Sequence, residues 1–489
     1  MSSGRYKDLL KNFGFQSFLW TQFLGAFNDN IYKMVVSLFA VEAAVSGGNG
    51  GSAYLSLAGA VFILPFILFS GYAGHIADVF NKRSVLIVTK SFEIVAMGMA
   101  IFALWSGRID FMLFVLFLMA MHSTFFSPAK YGIIPEMLPD KDLSRANGLL
   151  EMSTFLAIIM GTAIGGMIFG MWKDRIGWIG ILVIVTAITG TCTSFGIPRV
   201  PSSGARNTFR ISPWGEITIG LRRLYNNKLL FMTVMGISYL WFIGALLQMD
   251  ILLIGKEVMR LDDKWIGILV AFLAIGMGAG GILAGKLSGD RIEAGLVPLG
   301  SLGMGLFSIL LSYSISSFAM SAVSLIFLGF SGGVFVVPLN AMLQQKSGSQ
   351  EKGRMIAANN FVNTIGVLLA SGILWLLRDM LGIGADWIAL IAGVFSFAVT
   401  GIIISELPDF LLRFVLYILT HTIYRIRIVG EENIPVRGPA ILVSNHVSFA
   451  DPFFIGASVP GFVRFIIARD YYDLRQLQWF FRLMKAIPL

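Results

Sequence analysis

Apolar stretches long enough to cross a bilayer recur through most of the chain. A membrane-spanning helix needs about 20 mostly apolar residues, and twelve such stretches can be placed between Phe15 and Ser405. We predict spans at residues 15–42, 53–77, 85–105, 111–134, 147–171, 178–197, 229–254, 264–286, 295–315, 319–343, 355–377 and 386–405. The pattern therefore predicts an all-α membrane protein with twelve spanning helices.

Composition agrees with this prediction. Of 489 residues, 56% are hydrophobic and 13% are charged, whereas soluble proteins contain about 25% charged residues. The net charge of +9 could indicate nucleic-acid binding, but the basic residues lie in short loops between spans, where they set topology. We therefore expect the lipid bilayer, and no nucleic acid, as a partner. The single cysteine, Cys192, excludes an intrachain disulfide.

The distribution of basic residues also predicts the orientation. With the N-terminus in the cytoplasm, the inner loops carry 17 Lys and Arg residues and the outer loops carry 7. Cytoplasmic loops are enriched in Lys and Arg. We therefore predict a multi-pass membrane protein whose N-terminus and C-terminal region are both cytoplasmic.

The chain divides at the long polar segment from Pro198 to Lys228. We predict an N-terminal half at 1–197, a cytoplasmic central loop at 198–228, a C-terminal half at 229–405 and a further region at 406–489. Three landmarks recur between the halves at offsets of 212, 210 and 212 residues, namely Asp78 and Asp290, Pro128 and Pro338, and Asn147 and Asn359. This recurrence indicates two six-helix repeats, with the substrate path at their interface.

The loop after the second span contains Gly74, Asp78, Lys82 and Arg83 in the order glycine, aspartate and paired basic residues. It resembles the signature loop of the major facilitator superfamily. The resemblance implies the twelve-helix major facilitator fold and a gate in which Asp78 and the basic pair latch the cytoplasmic side. Asp290 lies in a weaker second copy, GKLSGDR. The alternative is a basic loop that only sets topology.

Ionisable residues inside spans are costly and commonly mark a transport path. Asp29 and Lys33 are one helical turn apart, so they either neutralise each other or face a polar cavity that holds a charged head group. Lys130 shares a helix face with Ser123 and Ser127 and suits a phosphate. Its alternative is to extend to the cytoplasmic interface.

Two further polar residues, Gln248 and Asp250, occupy span seven, although Asp250 could be an interface residue. Asn359, Asn360 and Asn363 in span eleven either line the same path or bond neighbouring helices. We count Asp29, Lys33, Lys130, Gln248 and Asp250 as candidate substrate-binding residues.

Residues TQFLGAFNDN at 21–30 and SPAKYGIIPEM at 127–137, with the region of Asn147, are similar to the bacterial lysophospholipid transporter family. This resemblance covers about residues 10–405. It implies a flippase that moves lysophospholipid, lysophosphatidylethanolamine in particular, from the outer to the cytoplasmic leaflet, with Asp29 at the ammonium and Lys130 at the phosphate. The family's span-seven arginine is replaced here by Asp250. No metal and no cofactor are expected.

Two other functions stay open at this point. One is a proton-coupled exporter of small drugs or metabolites with Asp29 as the proton carrier. The other is a membrane part that only anchors an enzyme. The repeated signature loop and the charged residues inside spans argue against a simple anchor.

The C-terminal region has a different character. Residues 407–424 form either an interfacial helix, which we favour because Arg425 and Arg427 follow, or a thirteenth span. RIRIV and AILVS are predicted strands around a loop. The string GEENIPVRGPAILVSNHVSFADP resembles the glycerolipid acyltransferases, which implies that His446 is a general base oriented by Asp451. The alternative is a solvated loop histidine.

Later motifs of that family do not appear before Leu489. We therefore expect a truncated α/β acyltransferase domain without acyl transfer of its own, from a parent with the complete domain. The parent's partners would be this domain and either an acyl carrier protein or a fused acyl-activating domain.

Overall fold

The structure is a computed structural model. It describes residues 6–47, 51–172, 175–201, 213–289, 292–348 and 350–406, and, in the C-terminal region, 416, 426, 429, 440–448, 450–459 and 463–489. Asp290, the RIRIV strand except Ile426 and Val429, and the helix expected at 407–424 except Leu416 lie outside the described residues.

Twelve long helices stand where the spans were predicted, with ends that differ by a few residues. They are α2 (Phe13–Gly47), α3 (Gly51–Val79), α4 (Lys82–Ser106), α5 (Ile109–Met137), α6 (Leu143–Met171), α7 (Gly177–Ser194), α9 (Lys228–Leu253), α10 (Asp263–Ser288), α11 (Leu296–Ser314), α12 (Phe318–Lys346), α13 (Lys352–Trp375) and α14 (Ala385–Glu406). Two shorter helices, α1 (Tyr6–Lys11) and α8 (Pro213–Asn226), complete the membrane part as described. The predicted all-α fold is confirmed.

Eleven of these helices, counted over the described residues, are long and apolar enough to cross a membrane by composition alone. The long helix outside that group is α2, which contains Asn28, Asp29, Asn30 and Lys33. These polar residues lower its hydropathy. In lipid they must be satisfied by other helices of the bundle, so the composition of α2 already indicates an interior position.

The two halves have separate cores. In the N-terminal half, Tyr32, Met97 and Leu116 are fully buried among apolar side chains of α2, α4 and α5. In the C-terminal half, Leu325 and Phe335 of α12 lie at the centre of a second cluster. The halves pack on each other chiefly through α3 against α13 and α6 against α10.

The halves approach most closely at the glycines of these two crossings. A Cβ atom on Gly353 of α13 would lie 2.6 Å from the Gly74 carbonyl oxygen, and one on Gly148 of α6 would lie 2.4 Å from that of Gly281. Without a hydrophobic driving force in lipid, helices associate through small residues that let their backbones meet. Both contacts lie toward the end of the bundle that carries the basic loops, which we name the closed end.

Helix α8 was not predicted, because its segment was taken as a polar loop. Its buried residues Glu216, Ile217 and Leu224 face the bundle, while Arg222 and Arg223 are exposed. The helix packs against α3 and α13. At 14 residues it is too short to cross a membrane. Long apolar stretches, the pattern that predicts spans, are therefore absent from its sequence.

The described part of the C-terminal region contains three short helices and one pair of short strands. These are α15 (Asp451–Ser458), α16 (Arg469–Tyr472) and α17 (Gln478–Leu483), with β1 (Ile466–Ile467) parallel to β2 (Ile487–Pro488). The strand prediction for AILVS is wrong for this structure. Ala440–Ser444 is not a strand, and Ile441 and Val443 are 93% and 92% exposed. No described strand lies beside it, so its backbone has no ladder to join.

The close crossing at Gly353 gives a first prediction. Gly353→Leu forces a side chain into the Gly74 backbone and should lower the stability of the closed end by about 1–3 kcal/mol. The control is Gly372→Leu on the same helix, where a Cβ meets nothing within 4 Å. Thermal unfolding in detergent measures the difference, and equal midpoints for both variants would refute the crossing.

Candidate functional site

Asp29 of α2 lies at the interior of the N-terminal half, where its neighbours come from α5. Its carboxylate accepts a hydrogen bond from Ser123 Oγ at 2.5 Å. Lys33 and Asp29 act on each other through their charges but form no ion pair among the described residues. The Lys33 ammonium lies over the Phe62 ring, 4.5 Å from the centroid. Lys33 is exposed and Asp29 is half-buried. Within the part of the chain that the structure describes, the other carboxylate oxygen of Asp29, Oδ1, has no hydrogen-bond partner, which leaves it able to accept one more donor.

Lys130 of α5 is buried and points into the bundle rather than toward an interface. Its ammonium donates to Thr154 Oγ1 of α6 at 3.3 Å and lies 5.1 Å from the Tyr131 ring centroid. Thr154 in turn donates to Gln22 Oε1 at 3.0 Å. Among the described residues, no carboxylate lies within 4.0 Å of this ammonium. A buried cation with only a hydroxyl partner is well prepared to receive an anion.

Glu151 of α6 adds a carboxylate that the sequence analysis missed. It accepts from the Tyr131 hydroxyl at 3.2 Å and from Asn340 Nδ2 at 3.0 Å. Asn340 belongs to α12, so this contact joins the two halves. The charges of Glu151 and Asp29 both act on Lys130. A solitary glutamate in the apolar fifth span was the signal available in the sequence.

The C-terminal half also contributes Asn360, which donates to Ser127 Oγ at 2.8 Å. Ser123, Ser127 and Lys130 therefore all face the interior, as their spacing predicted. We name Asp29, Ser123, Lys130, Glu151 and Thr154 the central site. It combines an ammonium and a carboxylate that retain bonding capacity with neutral hydroxyl groups. Asn340 and Asn360 of the C-terminal half bond to Glu151 and Ser127.

Gln248 and Asp250 of α9 do not join the central site. Gln248 is exposed, and within the described chain neither residue forms a hydrogen bond or ion pair with Asp29 or Lys130. Asp250 is fully buried, and neither of its carboxylate oxygens has a hydrogen-bond partner among the described residues. The charges that act on it are those of Arg378 and Asp386. The substrate role predicted for both residues receives no support from contact with the other candidates.

A second cluster of buried charges lies behind Asp29. Glu93 of α4 is ion-paired with Lys90, accepts from Asn28 Nδ2 at 2.8 Å and lies 3.4 Å from His122 Nε2. Lys90 and Glu93 are completely buried. This pair was not predicted, although Lys90 and Glu93 lie three residues apart within the third predicted span. The cluster fixes α2, α4 and α5 around the central site.

Asp78 joins the two halves at the closed end. Its buried carboxylate accepts from the backbone N–H groups of Gly353 at 2.5 Å and Arg354 at 2.9 Å, at the start of α13. The first N–H groups of a helix have no partner within it, and the helix dipole favours an anion there. Asp78 therefore bonds the end of α3 in the N-terminal half to the start of α13 in the C-terminal half.

The basic pair holds the N-terminal half together instead. Lys82 lies 2.5 Å from Glu136 Oε1 of α5. Arg83 donates to the backbone oxygen of Ile197 at 2.6 Å and to that of Phe195 at 2.9 Å, both after α7. These contacts all lie within one half, so they cannot by themselves latch it to the other. The part of the basic pair in the latch stays a prediction.

Two further contacts reinforce the closed end. Arg354 of α13 donates from Nε and Nη2 to Glu216 Oε2 of α8, at 3.1 and 2.9 Å, and both side chains are buried. Asn147 of α6 and Gln344 of α12 exchange two hydrogen bonds at 2.8 and 2.9 Å. Helix α8 is thus tied to the same residue whose backbone binds Asp78.

In the C-terminal region, His446 and Asp451 lie next to each other. His446 Nδ1 is 3.1 Å from Asp451 Oδ2, which also accepts from the backbone N–H groups of Ser448 at 2.8 Å and Val447 at 2.7 Å. These backbone hydrogen bonds, and then His446, hold the pKa of Asp451 below its ordinary value. The aspartate is therefore an ionised acceptor that orients the exposed imidazole.

Comparison with known families decides the classification of the membrane part. The family model described as Major Facilitator Superfamily matches residues 18–371. The chain belongs to the major facilitator superfamily. Solved structures agree on the fold. The human organic anion transporter MFSD10 superposes with a TM-score of 0.66 at 12% identity, over 80% of this chain and 99% of that one. A bacterial homologue of the iron transporter ferroportin gives 0.60 at 16% identity, over 80% and 99%.

Curated relatives of this major facilitator chain are more specific. The lysophospholipid transporter LplT of Photorhabdus laumondii is 30% identical over 367 residues, which are 74% of this chain and 87% of the relative. That of Enterobacter sp. strain 638 is 29% identical over 390 residues, 78% and 93% respectively. A second family model, described as Acyltransferase, matches residues 425–489. This multi-pass facilitator thus continues into an acyltransferase-like region.

The buried charge cluster generates a stability prediction. Glu93→Gln leaves the Lys90 ammonium without its carboxylate and should destabilise the protein by about 3–5 kcal/mol. The control is Glu406→Gln, which removes an exposed partner of Lys228 and should cost at most about 1 kcal/mol. Thermal unfolding in detergent compares them, and a Glu93 variant as stable as the control would contradict the pairing.

The gate generates another prediction. Asp78→Ala removes two hydrogen bonds to an ionised acceptor, each worth about 1.5–3 kcal/mol, and should shift the population away from the closed-end contact by at least about tenfold. Reactivity of single cysteines placed at the two ends of the bundle measures that shift.

The matched control for the gate is Asp262→Ala, which removes an exposed carboxylate that makes no side-chain cap hydrogen bond at the start of α10. It should leave cysteine reactivity unchanged at both ends. Parental reactivity in Asp78→Ala as well would show that Asp78 does not hold the closed end.

Proposed function

We propose that this chain transports lysophospholipids, and specifically moves lysophosphatidylethanolamine from the outer to the cytoplasmic leaflet of the bacterial inner membrane. The observation that supports this most directly is the buried Lys130 ammonium, which has a hydroxyl partner but, among the residues that the structure describes, no carboxylate within ion-pair distance. The named relatives are lysophospholipid transporters, and their similarity covers most of the membrane part.

The chemistry of the central site suits a zwitterionic head group. Lys130 would receive the phosphate, since an ammonium forms short, charge-assisted hydrogen bonds with phosphate oxygens. Asp29 would receive the ethanolamine ammonium through its unpartnered oxygen. Thr154 and Ser123 already bond these two residues and supply hydroxyl groups beside them. The acyl chain would lie along apolar side chains toward an opening to lipid.

The closed end supports the proposed direction. The excess of basic residues in its loops favours a cytoplasmic location. Asp78, the glycine crossings and the Arg354–Glu216 pair close the interface there. With that end closed, the central site would be reached from the outer leaflet. Release of Asp78 from α13 would then open the path to the cytoplasmic leaflet.

The acyltransferase-like region provides a use for the delivered lipid. A lysophospholipid has a free glycerol hydroxyl that can be acylated. His446, held by Asp451, would act as the general base on that hydroxyl. Transport and reacylation would then follow one another on the same side of the membrane. Which acyl donor is used does not affect this order.

The test is uptake of lysophosphatidylethanolamine by vesicles containing the protein. Asp29→Asn and Lys130→Ala should each reduce uptake by about tenfold or more, as expected for loss of one charge-assisted contact. The controls are Asp110→Asn and Lys141→Ala, which change exposed residues outside the central site. These should transport normally.

Two outcomes would contradict the proposal. Normal uptake by well-inserted Asp29 and Lys130 variants would remove both residues from the substrate path. Export of small cations that depends on a proton gradient and on Asp29, without lysolipid uptake, would identify a proton-coupled exporter.

A further inference from the structure

A second candidate lipid site lies away from the central site, at the closed end. Helices α8, α9 and α13 enclose a cavity of about 350 Å³, lined by Leu221, Arg222, Leu224, Tyr225, Phe231, Val234, Met235 and Val362. We name this cavity the slot. Its walls are apolar apart from the Arg222 side chain and the Tyr225 hydroxyl. Its size falls within the range of about 300–1,000 Å³ that is usual for ligand pockets.

The slot lies between helices that are bonded to each other, and its wall on α9 is partly exposed. Ser238 of α9 donates to the Val362 backbone oxygen of α13 at 3.0 Å, which holds the two helices together. Phe231 and Met235, one turn apart on α9, are 39% and 47% exposed. From Phe231 to Ser238 the helix rises by about 10 Å. The slot is therefore a groove between α9 and α13 with a partly exposed apolar wall.

The mouth of the slot carries an available positive charge. Arg222 is exposed, and within the described chain no carboxylate pairs with it. Its neighbours differ, since Arg223 is paired with Glu351 and Lys228 with Glu406. Tyr225 is 75% exposed beside it and packs edge-on against Phe231. Tyrosine and arginine at such a position are typical of the boundary between head groups and acyl chains.

The position of the mouth suggests which lipid is bound. Lys228 opens α9 and lies 2.6 Å from Glu406, the last residue of α14. The acyltransferase match begins at residue 425, 19 residues further along the chain. Glu406 thus pairs with the first residue of α9, the helix that forms one wall of the slot. A single apolar groove with one cation at its mouth matches a lipid with one acyl chain and one phosphate.

We infer that the slot is a second lysophospholipid site, which holds the transported lipid at the closed end before acylation. Arg222 binds the phosphate and the groove between α9 and α13 holds the acyl chain. This inference rests on the proposed function, because it takes the lysophospholipid as the transported molecule. It adds a second binding position for the transported lipid, which transport through the central site does not require.

The slot also touches the gate. Helix α8 supplies both Arg222 of the mouth and Glu216, which is bonded to Arg354 next to the Asp78 contact. Leu224 lines the slot and lies on the same buried face of α8 as Glu216. Occupancy of the slot would therefore be sensed at the closed end.

The test uses vesicles that contain the whole chain and lysophosphatidylethanolamine with a photoreactive diazirine near the end of its acyl chain. After illumination, peptide mapping should find label on residues 229–238 of α9. Met235→Trp fills the groove and Arg222→Gln removes the cation, and each should reduce this label by about tenfold. The matched control is Val323→Trp, a similarly exposed apolar position on α12 that does not line the slot.

The outcomes separate this inference from the proposed function. Lys130→Ala should reduce uptake by about tenfold or more. It should leave labelling of the slot intact when the photoreactive lipid is added to both leaflets. Uptake by the parent chain without label on 229–238 overturns the slot alone. Label on 229–238 without any uptake overturns the proposed function alone. Displacement of the label by dioleoylphosphatidylglycerol as readily as by unlabelled lysophosphatidylethanolamine overturns the slot as a lysolipid site, since the groove would then hold a bilayer phospholipid.

Discussion

The bond between Asp78 and the first N–H groups of α13 is the contact on which the arrangement of the halves depends. Helices in lipid gain little from apolar burial against each other, so their association rests on close packing and on polar bonds. The crossings at Gly74 and Gly148 bring backbones together, and the Asp78 carboxylate then satisfies N–H groups that have no partner in their own helix. One end of the interface is closed for this reason.

Charged side chains inside the N-terminal half have two kinds of partner. Glu93 is surrounded by Lys90, Asn28 and His122, so its charge is compensated within a rigid group. Within the described chain, the hydrogen bonds of Lys130 and Asp29 at the interior are to hydroxyl groups. The first group fixes the helices, and the second retains the capacity to bind a zwitterion. This difference between compensated and available charge is the physical basis for the proposed site.

The sequence was most informative where one physical requirement acts alone. Spans could be predicted because hydropathy and length determine them, and Asp29 and Lys130 stood out because charges in lipid are costly. The partner of Asp78 could not be predicted, since it lies 275 residues away and is a backbone group. Helix α8 escaped notice because a short amphipathic helix resembles a polar loop. The AILVS strand failed because a strand needs a neighbour that local pattern does not supply.

The central claim is that Lys130 binds the phosphate of a lysophospholipid. The most direct measurement compares the affinity of the purified protein for lysophosphatidylethanolamine and for a monoacylglycerol with the same acyl chain, which lacks the phosphate. We expect the parent protein to prefer the lysophospholipid by about tenfold or more, and Lys130→Ala to remove this preference. An unchanged preference in a correctly folded Lys130→Ala protein would show that Lys130 does not bind the phosphate.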